Sequence, residues 1–200
     1  MISLHELQLQ QRNHDERYHR DIYYLDVRGR LKHTSSHLGK YSARIARLIR
    51  ESEQGRTFEI PALQRTLVDS MLMMLNAAEL FNMDLGLVAR QKFNVGGSKL
   101  GINELGRLLR PELKTQYAWL SERDPRKSAI GLLLDYTDRA GVIHKACDSI
   151  DHFESISREA VMDSIFDEFV IVLLAGLATD INYEKSVPDR WREIERARVL

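Results

Sequence analysis

The chain has 200 residues, and its 29 Lys+Arg balance 29 Asp+Glu to a formal net charge of zero. Hydrophobic residues make up 44% and charged residues 29%, the balance of a globular chain and not of a disordered tail. The single cysteine, Cys147, excludes an intrachain disulfide and a thiolate zinc site.

In chain order, Leu4–Tyr18 is the first predicted helix. The start, Met1 to Gln11, alternates polar and apolar residues and lacks the apolar stretch of a signal peptide. His14 and His19 are five apart, a poor ligand spacing on one helix, and with His5 they read as surface residues. A second helix is predicted over His33–Glu51. From Val27 to Arg50 the chain carries seven Arg/Lys and no acidic residue. Pro61 suits a first helical turn. Leu67, Met71, Met74, Leu75 and Ala78 then fall on one stripe of a helix, which reads as bundle core.

The turn-like Asn94-Val95-Gly96-Gly97-Ser98 marks a boundary between segments 1–97 and 98–200. Residues 1–100 carry a charge of +4 and residues 101–200 a charge of −4. Gly96-Gly97-Ser98-Lys99 lacks the spacing of a phosphate loop, and no strand pattern precedes it. Helices are predicted over Pro111–Glu122, with Pro111 in the first turn, and over Ala129–Phe153. Ser157 is placed to start the helix that carries Asp167. Its stripe is Ile165, Phe169, Val172, Leu173 and Gly176. A last helix is predicted over Asp189–Val199. The longest apolar run, Phe169 to Ala178, is shorter than the roughly 20 residues a bilayer crossing needs. The expected chain is all-α, with short connections, cytoplasmic and away from membranes.

The two halves resemble each other. Leu67 through Phe93 matches Ile165 through Trp191 at a constant offset of 98: Asp69 with Asp167, Leu75 with Leu173, Ala77 with Ala175, Phe93 with Trp191. Upstream, Lys40, Ala43 and Arg44 match His144, Cys147 and Asp148 at an offset of 104, and Asp15-Glu16-Arg17 matches Ser121-Glu122-Arg123 at 106. The expected difference is extra sequence in the loop around Gly55. Two related helical units packed as a pseudo-dimeric bundle follow from this pattern.

Leu67-Val68-Asp69-Ser70-Met71-Leu72 through Asn82-Met83-Asp84-Leu85 resembles the third-helix region of the MazG-like, all-α nucleoside triphosphate pyrophosphohydrolases. Leu4-His5-Glu6-Leu7-Gln8 and Asp15-Glu16-Arg17-Tyr18 look like that family's first helix. Arg90 to Phe93 and Arg190 to Arg198 look like its following basic and aromatic helix. The resemblance implies an EExxE segment on one helix and ExxD on the next. Their carboxylates would converge on Mg²⁺ or Mn²⁺ to cleave a nucleoside triphosphate into monophosphate and pyrophosphate.

The chain departs from that pattern in both halves. In the first, the motif positions read Lys40, Tyr41 and Arg44, then Thr66 and Asp69. Such a face does not hold Mg²⁺; it neutralises Asp69 internally or attracts an anion. In the second, they read His144, Lys145 and Asp148, then Ser164 and Asp167. A residual metal site there would draw on Asp148, Asp167, Asp163, Asp151 and His144, with Lys40, Arg44 or Lys145 on phosphate. The competing reading pairs Asp148 and Asp167 with Lys145, Arg139 or basic residues of the first half.

Two functions stand open: a divergent pyrophosphohydrolase, and a scaffold, oligomerisation or nucleotide-sensing protein that keeps the bundle without the metals. A homo-oligomer and a nucleotide partner are expected; no nucleic-acid motif is present. Other chemistries lack their signatures. No nucleophile turn is visible. No Glu-x-x-His pair points to a di-iron bundle. Cys147 reads as a small core residue.

Overall fold

Two long helical hairpins pack side by side at the centre of the molecule. The structure is a computed structural model and describes residues 2–95 and 99–198. Among the described residues there are nine α-helices and no strand: α1 (Leu4–Tyr18), α2 (Arg20–Tyr23), α3 (Val27–Glu53), α4 (Ile60–Leu80), α5 (Leu85–Phe93), α6 (Ile102–Leu113), α7 (Pro125–Asp151), α8 (Arg158–Ala178) and α9 (Tyr183–Arg198). A short 3-10 turn, Ala118–Ser121, precedes α7. The Gly96-Gly97 boundary and Val199, the expected end of the last helix, lie outside the described residues.

Capping chemistry sets the helix starts. Ser3 and Glu6 close a reciprocal capping box on α1. Asp26 accepts from Gly29 N at 2.7 Å and begins α3 six residues before its predicted start (27 against 33). Asp124, followed by Pro125, begins α7. Ser157 accepts from Ala160 N at 3.1 Å and begins α8, as the sequence led us to expect. Pro111 differs from expectation: it lies inside α6, close to its end, and opens no helix. The buried stripe Ile102, Leu105, Gly106, Leu109 and Leu113 carries α6 past the lost backbone donor. Pro188 likewise lies inside α9.

α3 packs on α4 and α7, and α8 packs on α4 and α7, which makes a four-helix ring. Both predicted stripes, on α4 and α8, are buried, and one continuous core draws on both halves of the chain. Each large apolar side chain buried there contributes on the order of 1.5–3 kcal/mol. α1 lies on α4, α6 on α8, and α9 against α1, α4 and α6. Among the described residues no single helix is long and apolar enough to cross a membrane; α4 and α5 together pass only across a bend of 89°.

The two halves share one spacing. Helices start at 4 and 102, 27 and 125, 60 and 158, 85 and 183, each pair 98 apart. α3 and α7 both have 27 residues, and α4 and α8 both have 21. The connecting loops, 54–59 and 152–157, are equal in length, so the loop around Gly55 carries no extra sequence. Left-handed residues recur in the same places: Gly55 (φ 87°) and Phe153 (φ 57°), Asn82 (φ 52°) and Asp180 (φ 61°). Ser3 and Gly101, also 98 apart, form an antiparallel bridge with each other. The upstream offsets of 104 and 106 therefore do not follow the helices. Polar matches on a charged helix face carry no register, whereas caps and turns do. In the 98 register Lys40, Tyr41 and Arg44 stand opposite Asp138, Arg139 and Val142.

Candidate functional site

A cavity of about 450 Å³ opens beside Asp69, between α1, α2, α3, α4 and α9. Helical spacing explains its walls. His33, His37, Lys40, Tyr41 and Arg44 share one face of α3; Asp69, Leu72, Met73 and Asn76 share one face of α4. Arg190, Glu193, Ile194 and Ala197 repeat that spacing on α9. Gln11, His14 and Asp15 come from α1, with His19 at its end.

Asp69 is buried and held from both sides. Arg44 Nη1 donates to Oδ2 at 2.9 Å, and Arg190 Nε donates to Oδ1 at 2.6 Å. Arg190 also donates to Glu193 at 2.8 Å. Burial pushes the Arg190 pKa down, but hydrogen bonding to Asp69 overrides this and the net shift is upward. Lys40 lies one turn before Arg44 and forms an ion pair with no carboxylate among the described residues. Its ammonium sits 5.2 Å over the Tyr41 ring. Burial, then the charge of Arg44, lowers the Lys40 pKa. Burial and Lys40 also push His37 down to about 4 and lower His33, so both imidazoles are neutral at neutral pH. His37 Nδ1 lies 2.9 Å from the Tyr41 hydroxyl.

The cavity thus contains two of the three expected phosphate-binding residues, Lys40 and Arg44. The third, Lys145, is exposed on α7 and pairs with Asp148 at 3.6 Å and Glu154 at 3.4 Å. The five expected metal ligands do not come together. Asp148 faces Lys145 and His152. Asp151 is held by Arg28 and Lys32 of α3. Asp163 pairs with Lys92 at 2.8 Å; Asp167 stands 3.8 Å from Lys92 and 3.7 Å from Arg139. His144 Nδ1 bonds the Ser35 hydroxyl in the α3–α7 contact. Cys147 is buried, and burial raises its thiol pKa, in keeping with a core residue.

Mg²⁺ and Mn²⁺ favour oxygen ligands, with carboxylates supplying the charge. Both oxygens of Asp69 accept from guanidiniums, and Lys40 stands beside them. Asp167 and Asp163 share their space with Lys92 and Arg139. Neither donor set, as arranged, fits such an ion.

Two features escaped the sequence reading. Arg190 lay within the basic helix singled out there, but its partner was not legible; Lys92, 98 residues earlier and also basic, was the available signal. His14 is not a surface residue: it is 7% exposed, on the buried stripe Leu4, Leu7, Gln11, His14. That spacing of three, four and three was readable. His5 is exposed and lies 3.1 Å from Asp84, and His19 is half-buried.

In comparisons with known proteins, no family model, no curated protein and no solved structure matches the chain.

Proposed function

We propose that the chain is a duplicated MazG-like helical unit whose first half binds a nucleotide through its phosphates, without the family's divalent-metal chemistry. The observation that carries this reading is the clamp on Asp69. The carboxylate that would hold a metal accepts from Arg44 and Arg190, and the lysine beside it forms no ion pair with an acid among the described residues. A phosphate placed against Lys40 would gain a charge-assisted hydrogen bond and extend the Arg44–Asp69–Arg190 array. Neutral His33 and His37 can donate as well. Leu72, Met73 and Tyr23 supply apolar wall for a base or sugar.

This favours the sensing or scaffold reading over the hydrolase. The equal helix spacing supports duplication, and the cations beside Asp69, Asp148, Asp151, Asp163 and Asp167 oppose metal-assisted attack on the triphosphate. The test is nucleotide affinity in EDTA for the parent and for Lys40→Ala. One charged hydrogen bond predicts a loss of about tenfold or more, with helix content unchanged. Equal affinity in both proteins would remove Lys40 from the site, and no affinity for any nucleotide would end the reading.

A further inference from the structure

At the α1 end of the same cavity stand His14, Asp15 and His19, each able to bring one ligand atom within 4.8 Å of the other two. All three line the cavity. The five-residue spacing of the histidines fails on a continuous helix. It succeeds here because α1 stops at His19, which caps α1 with φ −126° and ψ 40° and starts α2. The chain turns there and brings the second imidazole back; the ring centroids of His14 and His19 are 5.6 Å apart.

His14 is the independent sign of a ligand. Its ring is buried, stacked on Trp191 at 5.9 Å and 24°, yet neither ring nitrogen has a hydrogen-bond partner among the described residues. Nδ1 stands 3.8 Å from Asp15 Oδ1, beyond hydrogen-bond reach. Buried polar atoms in folded proteins are almost always satisfied, so a buried imidazole with both nitrogens open calls for a partner that the surrounding side chains do not supply.

Asp15 is prepared in the same sense. Gln11 Nε2 and Asn76 Nδ2 both donate to Oδ2, at 2.8 and 2.6 Å. Trp191 Nε1 in turn donates to Gln11 at 2.8 Å. These contacts fix the carboxylate from one side and leave Oδ1 toward His14, as outer hydrogen bonds orient the ligands of known metal sites. No Lys or Arg pairs with Asp15 among the described residues.

We propose that His14, Asp15 and His19 form a site for a divalent transition-metal ion of the zinc class. Two imidazoles and one carboxylate suit Zn²⁺, Co²⁺ or Ni²⁺ and not Mg²⁺ or Ca²⁺, which take oxygen. Three protein ligands leave a fourth position, filled from the cavity by water or by an oxygen of whatever the cavity holds. The site is separate from the phosphate reading: it uses none of Lys40, Arg44 or Asp69.

The test uses the full chain stripped with a chelator that is then removed. Calorimetric titration with Zn²⁺ is expected to give one site per chain, and Co²⁺ to give the visible absorption of a low-coordinate nitrogen- and oxygen-ligated ion. Mg²⁺ is expected to give neither. His19→Ala changes a half-buried end residue, and Asp15→Asn keeps the volume; each is expected to weaken Zn²⁺ binding by at least about 100-fold, the upper range for losing even an outer partner. His5→Ala and His152→Ala, at exposed histidines elsewhere, are expected to leave it unchanged. No stoichiometric Zn²⁺ binding, or binding that survives His19→Ala and Asp15→Asn, would overturn the proposal. Nucleotide affinity measured in EDTA reports on the phosphate reading alone, so the two can fail separately.

Discussion

Arg190 Nε donates to Asp69 Oδ1 at 2.6 Å and ties the last helix to the first hairpin. The same relation recurs in the other direction, where Lys92 of α5 stands 3.8 Å from Asp167 of the second hairpin. Asp69 and Asp167 are 98 apart, and so are Lys92 and Arg190. Each hairpin's aspartate is therefore met by a cation from the other half's final helix. A second cation comes from its own hairpin, Arg44 on Asp69 and Arg139 on Asp167. The two positions differ in strength: the first is buried with short bonds, the second half-exposed with long ones.

That difference sets the response to a neutral isostere. Asp69→Asn removes two charge-assisted bonds and leaves Arg190 in a partly buried place. A loss of about 1–3 kcal/mol in denaturant unfolding is expected. Burial pushes the Asp167 carboxyl pKa up, so the fold disfavours its charge. Asp167→Asn is expected to stay within about 0.5 kcal/mol of the parent or to gain slightly.

Glu168 is fully buried on α8, and neither carboxylate oxygen has a hydrogen-bond partner among the described residues. Burial raises its pKa well above 4.5. Above 4.5 the unfolded chain releases a proton that the folded chain keeps. The stability this group contributes is therefore complete below 4.5 and declines as pH rises. Glu168→Gln removes that dependence. It is expected to be more stable than the parent at pH 7, with the advantage vanishing near pH 4, as read by denaturation at both values.

His37 works in the opposite sense. Its pKa falls from 6.5 to about 4 on folding, chiefly through burial, so between those values the unfolded state binds the extra proton. Stability is expected to drop as pH falls from 6.5 toward 4. His37→Asn is expected to flatten that part of the profile, measured by thermal unfolding across the window.

Gly176 on α8 lies against the ring of Tyr183, the first residue of α9. A Cβ there would overlap the Tyr183 hydroxyl oxygen, and the Tyr183 hydroxyl donates to Val172 O at 2.7 Å inside the core. The ring is fully buried and held by that bond, so it yields only at a cost. Gly176→Ala is expected to cost about 3 kcal/mol or more, visible as a lowered denaturation midpoint.

The helical class was legible because apolar stripes on α4 and α8 obey the helical period and stay buried. The offset of 98 was legible where caps, turns and core letters coincide, from Leu67 to Phe93. It was lost upstream, because α3 and α7 carry different charges on the same face and nothing in those letters fixes the turn. Lys40 and Arg44 were readable as a basic face that tolerates no Mg²⁺, and the structure sets both on a cavity. The acids of the second half were readable as carboxylates but not as neighbours. Asp151 meets α3, Asp167 meets α5 and α7, and only packing decides that. The burial of His14 was readable in the stripe of α1, but its approach to His19 was not, because the end of α1 there rests on backbone turning that no residue pattern announces.

The measurement closest to the central claim is nucleotide binding and pyrophosphate release in the same samples, across NTPs and dNTPs, with Mg²⁺, with Mn²⁺ and with EDTA. Binding that persists in EDTA, weakens in Lys40→Ala and releases no pyrophosphate under any condition is the expected result. Metal-dependent pyrophosphate release that disappears in Asp167→Asn would contradict the account and return a working hydrolytic site to the second half.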